Sequence, residues 1–114
     1  MHFLVSLSLR VKINNMDKLQ GKVIAVDVDG TLTKGTAWNA EDAINAEARI
    51  EIIEKVNKLY KSNFIVIHTA RRDDMYQATK DWLSLYNVKY HAIAMEKMAA
   101  DCYLDDKALR PEEL

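Results

Sequence analysis

Asp27-Val28-Asp29-Gly30-Thr31-Leu32-Thr33 follows directly on the apolar run Val23-Ile24-Ala25-Val26. A short β-branched run that stops at a glycine turn reads as a fully buried strand, here residues 23–28. Alternation along that strand directs Asp27 and Asp29 to the same side. The carboxyl ends of parallel strands are where open α/β sheets bind ligands, so the pair stands where a site is expected.

Outward from this stretch, residues 27–39 are polar and turn-forming, with Gly30 and Gly35. Between Glu41 and Lys61, Ile44, Ala48, Ile52, Val56 and Leu59 recur at helical spacing and predict one helix. Phe64–Ile67 is a second buried strand, running into His68-Thr69-Ala70. Asp73 or Asp74 can cap a following helix whose apolar side holds Met75, Ala78, Trp82 and Leu85. Residues 88–94 form a third strand, and Cys102-Tyr103-Leu104 a fourth that ends in Asp105-Asp106. Strands alternating with helices predict an α/β fold with a mainly parallel sheet. In such a sheet Asp27/Asp29, Thr69 and Asp105/Asp106, far apart in sequence, share one edge.

The N-terminus has a different period. Phe3, Val5, Leu7, Leu9, Val11 and Ile13 alternate with Ser6, Ser8, Arg10 and Lys12, the pattern of an amphipathic strand. Met1-His2 is not a basic leader, and the stretch is too short to span a membrane. A start at Met16 is equally consistent, which makes residues 1–15 an extension and 16–114 the single domain.

At 114 residues the chain has room for one core. Lys+Arg 16 against Asp+Glu 17 leaves a formal charge of −1, so no overall basic field recruits nucleic acid or an anionic membrane. Cys102 is alone, which excludes an intrachain disulfide framework and fits a reducing, cytoplasmic setting.

Two strand-end carboxylates suit a Mg²⁺ ion and a phosphate, because Mg²⁺ takes oxygen ligands and is often held by one or two carboxylates with substrate phosphate. Asp27 is placed as a nucleophile towards phosphorus and Asp29 as the acid and then base. Thr69 and the amide of Ala70 can bind phosphoryl oxygens, and Lys97 can neutralise charge. One or both of Asp105 and Asp106 complete a metal set with Asp27 and Asp29.

Asp27-Val28-Asp29-Gly30-Thr31, the run ending in Thr69, Lys97 and Asp105-Asp106 resemble, in order, the four motifs of the haloacid dehalogenase (HAD) superfamily of phosphotransferases. His68-Thr69-Ala70-Arg71 and residues 97–108 resemble its small capsule- or polysaccharide-biosynthesis phosphatases, and more distantly polynucleotide phosphatase domains. The resemblance implies a Rossmann-like three-layer sandwich, Mg²⁺, and phosphomonoester hydrolysis through an aspartyl-phosphate. It places Gly30, Thr31, Ala70 and Arg71 at the substrate phosphate. One departure stands out: the subgroup's Gly-Lys-Pro is here Glu96-Lys97-Met98, which puts a carboxylate beside the lysine. Neither 32–63 nor 71–96 has room for a cap domain, so the open site suits a large substrate or a lid from a second subunit. Trp38 can contribute to either.

The bland readings differ in weight. Asp105-Asp106 alone is an ordinary solvated turn, Thr69 alone an ordinary strand residue, and Cys102 a small core residue. Together the motifs favour a phosphomonoesterase acting on a sugar phosphate or related metabolite, with nucleic acid not an expected partner. A phosphatase of nucleotide or polynucleotide ends and a degenerate, non-catalytic binding module are the alternatives.

Overall fold

The computed structural model describes residue 16 and residues 18–114; the expected strand within 1–15 lies outside them. Three strands form a parallel sheet in the order β1 (Val23–Val26), β2 (Phe64–His68), β3 (Ala92–Ala94). Val23 pairs with Phe64 and Val26 with Ile67, while Val66 pairs with Ala92 and His68 with Ala94. All three strands therefore end at one edge of the sheet, as their apolar runs and flanking turns predict.

The connections are helical, with boundaries that differ from those read in the sequence. The helix expected over 41–61 is two: α1 (Ala40–Ile44) and α2 (Ile50–Tyr60). Asn39 caps α1 by accepting from the Asp42 amide. The chain then leaves the helix so that Ala48 can bridge to Thr33, with Arg49 N–H donating to the Leu32 carbonyl. That detour leaves Ile44 41% exposed, off the helical face assigned to it. After β2, Asp73–Met75 is a turn of 3₁₀ helix preceding α3 (Tyr76–Leu85). Its buried side holds Ala78, Thr79, Trp82 and Leu83, whereas Leu85 faces solvent.

The main core cluster holds Val26 and Val28, Leu32, Ile52, Ile53, Val56 and Leu59 from α2, Ile65 and Ile67, then Trp82, Leu83 and Val88, and a smaller one holds Ala37, Ala43, Met75 and Ala78. Each fully buried aliphatic side chain contributes about 1.5–3 kcal/mol relative to exposure. The Trp82 indole N–H donates to the Ala46 carbonyl, so its polar end is satisfied inside.

The fourth strand does not form. Residues 98–110 are exposed throughout, Leu104 completely, and Cys102 is a surface residue rather than a core one. Three apolar residues between Asp101 and Asp105-Asp106 offer little area to bury. Tyr103 instead makes local contacts, its hydroxyl donating to the Met98 carbonyl and accepting from the Ala100 amide. Among the described residues β1 is thus an edge strand, with Val23 75% exposed.

Candidate active site

The turn after β1 is built around one carbonyl. Val28 oxygen accepts the amides of Thr31, Leu32 and Thr33, which coils 28–33 tightly beyond the strand. Gly30 takes φ +79°, a conformation that L side chains rarely adopt. Thr33, fully buried, stitches the loop by donating to the Gly35 carbonyl and receiving the Gly30 amide. Asp27 and Asp29 are thereby presented, half-buried, at the carboxyl end of the sheet.

Asp27 accepts the Val28 amide on Oδ1 at 2.8 Å. Burial pushes its carboxyl above the ordinary carboxylate value; the Val28 N–H and the nearby Lys97 charge pull it back, Asp29 adds to the rise and His68 opposes it. These neighbours identify the setting: Lys97 lies beyond β3 and His68 ends β2, yet both act on one carboxylate.

Asp29 is held more completely. Arg71 grips it bidentately, Nε to Oδ2 at 3.0 Å and Nη2 to Oδ1 at 2.8 Å, and Oδ1 also accepts the Ala37 amide at 3.1 Å. The guanidinium is itself buried, so this is a desolvated, charge-assisted fork. Arg71 in turn donates from Nη1 to Thr79 Oγ1 at 2.9 Å. Each carboxylate oxygen has two lone-pair positions. Oδ1 is filled by two donors, while Oδ2 keeps one position open.

The loops after β2 and β3 are tied together. Thr69 N–H donates to the Ala94 carbonyl, Lys97 N–H to Thr69, and Glu96 N–H to Arg71. Thr69 is fully buried and its hydroxyl oxygen accepts the Arg71 amide, whereas Ala70 is exposed. The Lys97 ammonium sits over the Tyr103 ring, 4.4 Å from its centroid. Glu96 occupies the left-handed region at φ +61°, at the position where the resemblance has glycine.

The structure therefore brings Asp27, Asp29, Thr69, Arg71 and Lys97 to one sheet edge. Gly30 and Thr31 form the turn beside them. Asp105 and Asp106 lie on the exposed segment, where Asp105 Oδ1 accepts the Lys107 amide. Among the described residues no group of three or more His, Cys, Asp or Glu side chains is gathered for a metal ion. The donor chemistry still suits Mg²⁺ at Asp27, whose Oδ1 keeps a second lone-pair position beside the one given to the Val28 amide, because one or two carboxylates with substrate phosphate suffice for that ion. The Asp29 carboxylate is committed to Arg71.

Sequence reasoning missed Thr79, Ala37 and Arg49. Arg49 donates to the Gly30 carbonyl at 3.4 Å and pairs with Glu51 and Glu112. A threonine on the apolar side of α3 was the one available signal; the other two act through turns that composition does not reveal.

The sequence matches no family model and no curated protein. Among solved structures it is similar to a structural-genomics target from Vibrio cholerae, with TM-score 0.70 and 30% identity over 81% of this chain and 85% of that one. It is also similar to a chain of the Pnkp1/Rnl/Hen1 complex, with TM-score 0.55 and 18% identity over 82% of this chain and 33% of that chain. A chain of the Pnkp1/Rnl/Hen1 RNA repair complex matches with TM-score 0.54 and 19% identity, over 76% and 29%. In these last two the similarity is one of fold, and this chain spans a third or less of their length.

Proposed function

The chain belongs to the same family as the Vibrio cholerae protein, and we propose that it is a HAD-type, Mg²⁺-dependent phosphomonoester hydrolase acting on a sugar phosphate or related metabolite. The observation that supports this reading is the meeting of Asp27, a clamped Asp29 and Lys97 at the carboxyl edge of a parallel sheet. Each group has a role that its surroundings suit.

Asp27 is the nucleophile. Val28 N–H fixes Oδ1, leaving Oδ2 to attack phosphorus, and the bond to the ester oxygen breaks as the Asp27–phosphorus bond forms. Asp29 enters the step protonated at the open position of Oδ2, gives that proton to the leaving oxygen, and regains one from the water that attacks the aspartyl-phosphate. Inorganic phosphate leaves and Asp27 is regenerated. Arg71 keeps Asp29 in one orientation throughout, and Lys97 offsets negative charge on Asp27 and the phosphoryl group. The exposed Ala70 amide is available to a phosphoryl oxygen. Mg²⁺, held by Asp27 together with the substrate phosphate, would screen the repulsion between carboxylates and phosphate.

The test is hydrolysis of a generic aryl phosphate and a panel of phosphomonoesters, with and without Mg²⁺, against Asp27→Asn. The panel includes a 3′-phosphorylated oligonucleotide, because a chain of an RNA repair complex shares the fold. Activity that disappears in chelator and in the variant supports the reading. Silence from folded wild-type protein across the panel overturns it.

A further inference from the structure

We propose that Thr79, on α3, is a positioning residue for the reaction: its hydroxyl sets the Arg71 guanidinium and, through it, the orientation of Asp29. The inference rests on the phosphatase reading but concerns a residue that touches neither the phosphate nor Asp29.

Thr79 is fully buried on the side of α3 that otherwise holds Ala78, Trp82 and Leu83, next to the buried Met75 of the preceding 3₁₀ turn. A hydroxyl there is out of keeping with its apolar neighbours, and both of its functions are used. It donates to the Met75 carbonyl at 2.8 Å, one helical turn back, and accepts from Arg71 Nη1 at 2.9 Å. The donated hydrogen fixes the rotor, so the oxygen lone pairs are aimed at Arg71 rather than free to turn. Arg71 then has a partner on each of its three nitrogens: Asp29 Oδ2 on Nε, Asp29 Oδ1 on Nη2 and Thr79 on Nη1. A planar fork held at its third corner cannot pivot about the carboxylate. Asp29 inherits that fixity, and with it the direction of the one open lone-pair position on Oδ2.

Thr79→Val keeps the shape and removes the hydroxyl, leaving Nη1 buried opposite a methyl group. Thr79→Ser keeps the hydroxyl and removes the methyl. Small misplacements of a reacting group cost up to about 100-fold in rate, so Thr79→Val is expected to lower kcat about 10- to 100-fold with KM nearly unchanged, and Thr79→Ser to restore most of it. A readout without substrate accompanies the kinetics. The Arg71 Nε–H proton, identified by its loss in Arg71→Lys, is expected to exchange slowly with solvent in wild type and in Thr79→Ser. In Thr79→Val it is expected to exchange at least tenfold faster.

Urea midpoints for each variant separate positioning from stability. A lower midpoint with kcat and Nε–H exchange as in wild type makes Thr79 merely structural and overturns the proposal. Unchanged exchange in Thr79→Val overturns it even if wild type proves inactive. Inactive wild type with a slow, Thr79-dependent Nε–H would sink the phosphatase reading while upholding the clamp.

Discussion

Replacing Glu96 by glycine should stabilise the protein relative to replacing it by alanine, and the reason is backbone geometry alone. Glu96 sits at φ +61°, held there because its amide donates to the Arg71 carbonyl and the next amide, of Lys97, to Thr69, each at 2.9 Å. The left-handed region costs an L residue about 1–2 kcal/mol. Glycine removes that cost but loses about 0.5–1 kcal/mol more chain entropy on folding than alanine. Both variants remove the carboxylate, so its interaction with Asp73 cancels in the comparison. The remaining difference is about 0.5–1 kcal/mol in favour of Glu96→Gly, or about 2–5 °C in Tm for a domain of this size. Urea unfolding of the two variants measures it from the midpoints, provided the m-values agree. Asn87 is an internal control: it lies at φ 55°, but asparagine tolerates that region, so Asn87→Gly should change stability less. A Glu96→Gly protein no more stable than Glu96→Ala would refute the claim that this turn is strained.

Other expectations follow from individual residues. Gly30→Ala should cost about 1 kcal/mol in urea unfolding; nothing lies within 4 Å of the added Cβ, so the loss is purely conformational at φ +79°. Leu83→Ala, at a fully buried position, should lose about 2–5 kcal/mol, read in the same assay. Asp27→Asn should reduce kcat/KM by about 10⁴-fold or more yet raise the urea midpoint at neutral pH. Burial raises the Asp27 pKa, so the ionised form penalises the native state; that advantage of the amide should fade as pH falls through the raised value towards 3.8, the ordinary one. The Glu96 carboxyl is likewise raised, chiefly by its hydrogen bond with Asp73 and by that neighbour's charge. Wild type should therefore gain stability relative to Glu96→Gln as pH falls through the raised value, and equal midpoints at pH 4 and 7 would contradict this.

Most of the architecture was legible because buried parallel strands announce themselves. Val23–Val26 and Phe64–His68 are β-branched runs that end in turn residues, and helical spacing marked Ile52, Val56 and Leu59 as core. Two features were not legible for the same reason, that long-range pairing competes with local pattern. The Thr33–Ala48 bridge breaks a continuous helical period, and Cys102-Tyr103-Leu104, strand-like in composition, makes local turn contacts instead. At the site, Asp27 and Asp29 were evident from spacing, and Arg71 from its motif. Its role was not: only three dimensions show that its fork closes on Asp29 and that Thr79 supports it.

The hydrogen bonds that fasten Glu96 and Lys97 to the loop after β2 divide the carboxyl edge of the sheet into two materials. One half, from Thr69 and Arg71 to Lys97, is tied by backbone hydrogen bonds into a single unit that cannot be retuned at one point without disturbing the others. The other half begins at Met98, where every side chain through Arg110 faces water and few contacts constrain replacement. Apart from Tyr103, on whose ring the Lys97 ammonium rests, replacements in the second half leave the backbone ties of the first intact. On the phosphatase reading, the chemistry would then belong to the tied half and the choice of leaving group to the stretch that the core does not hold.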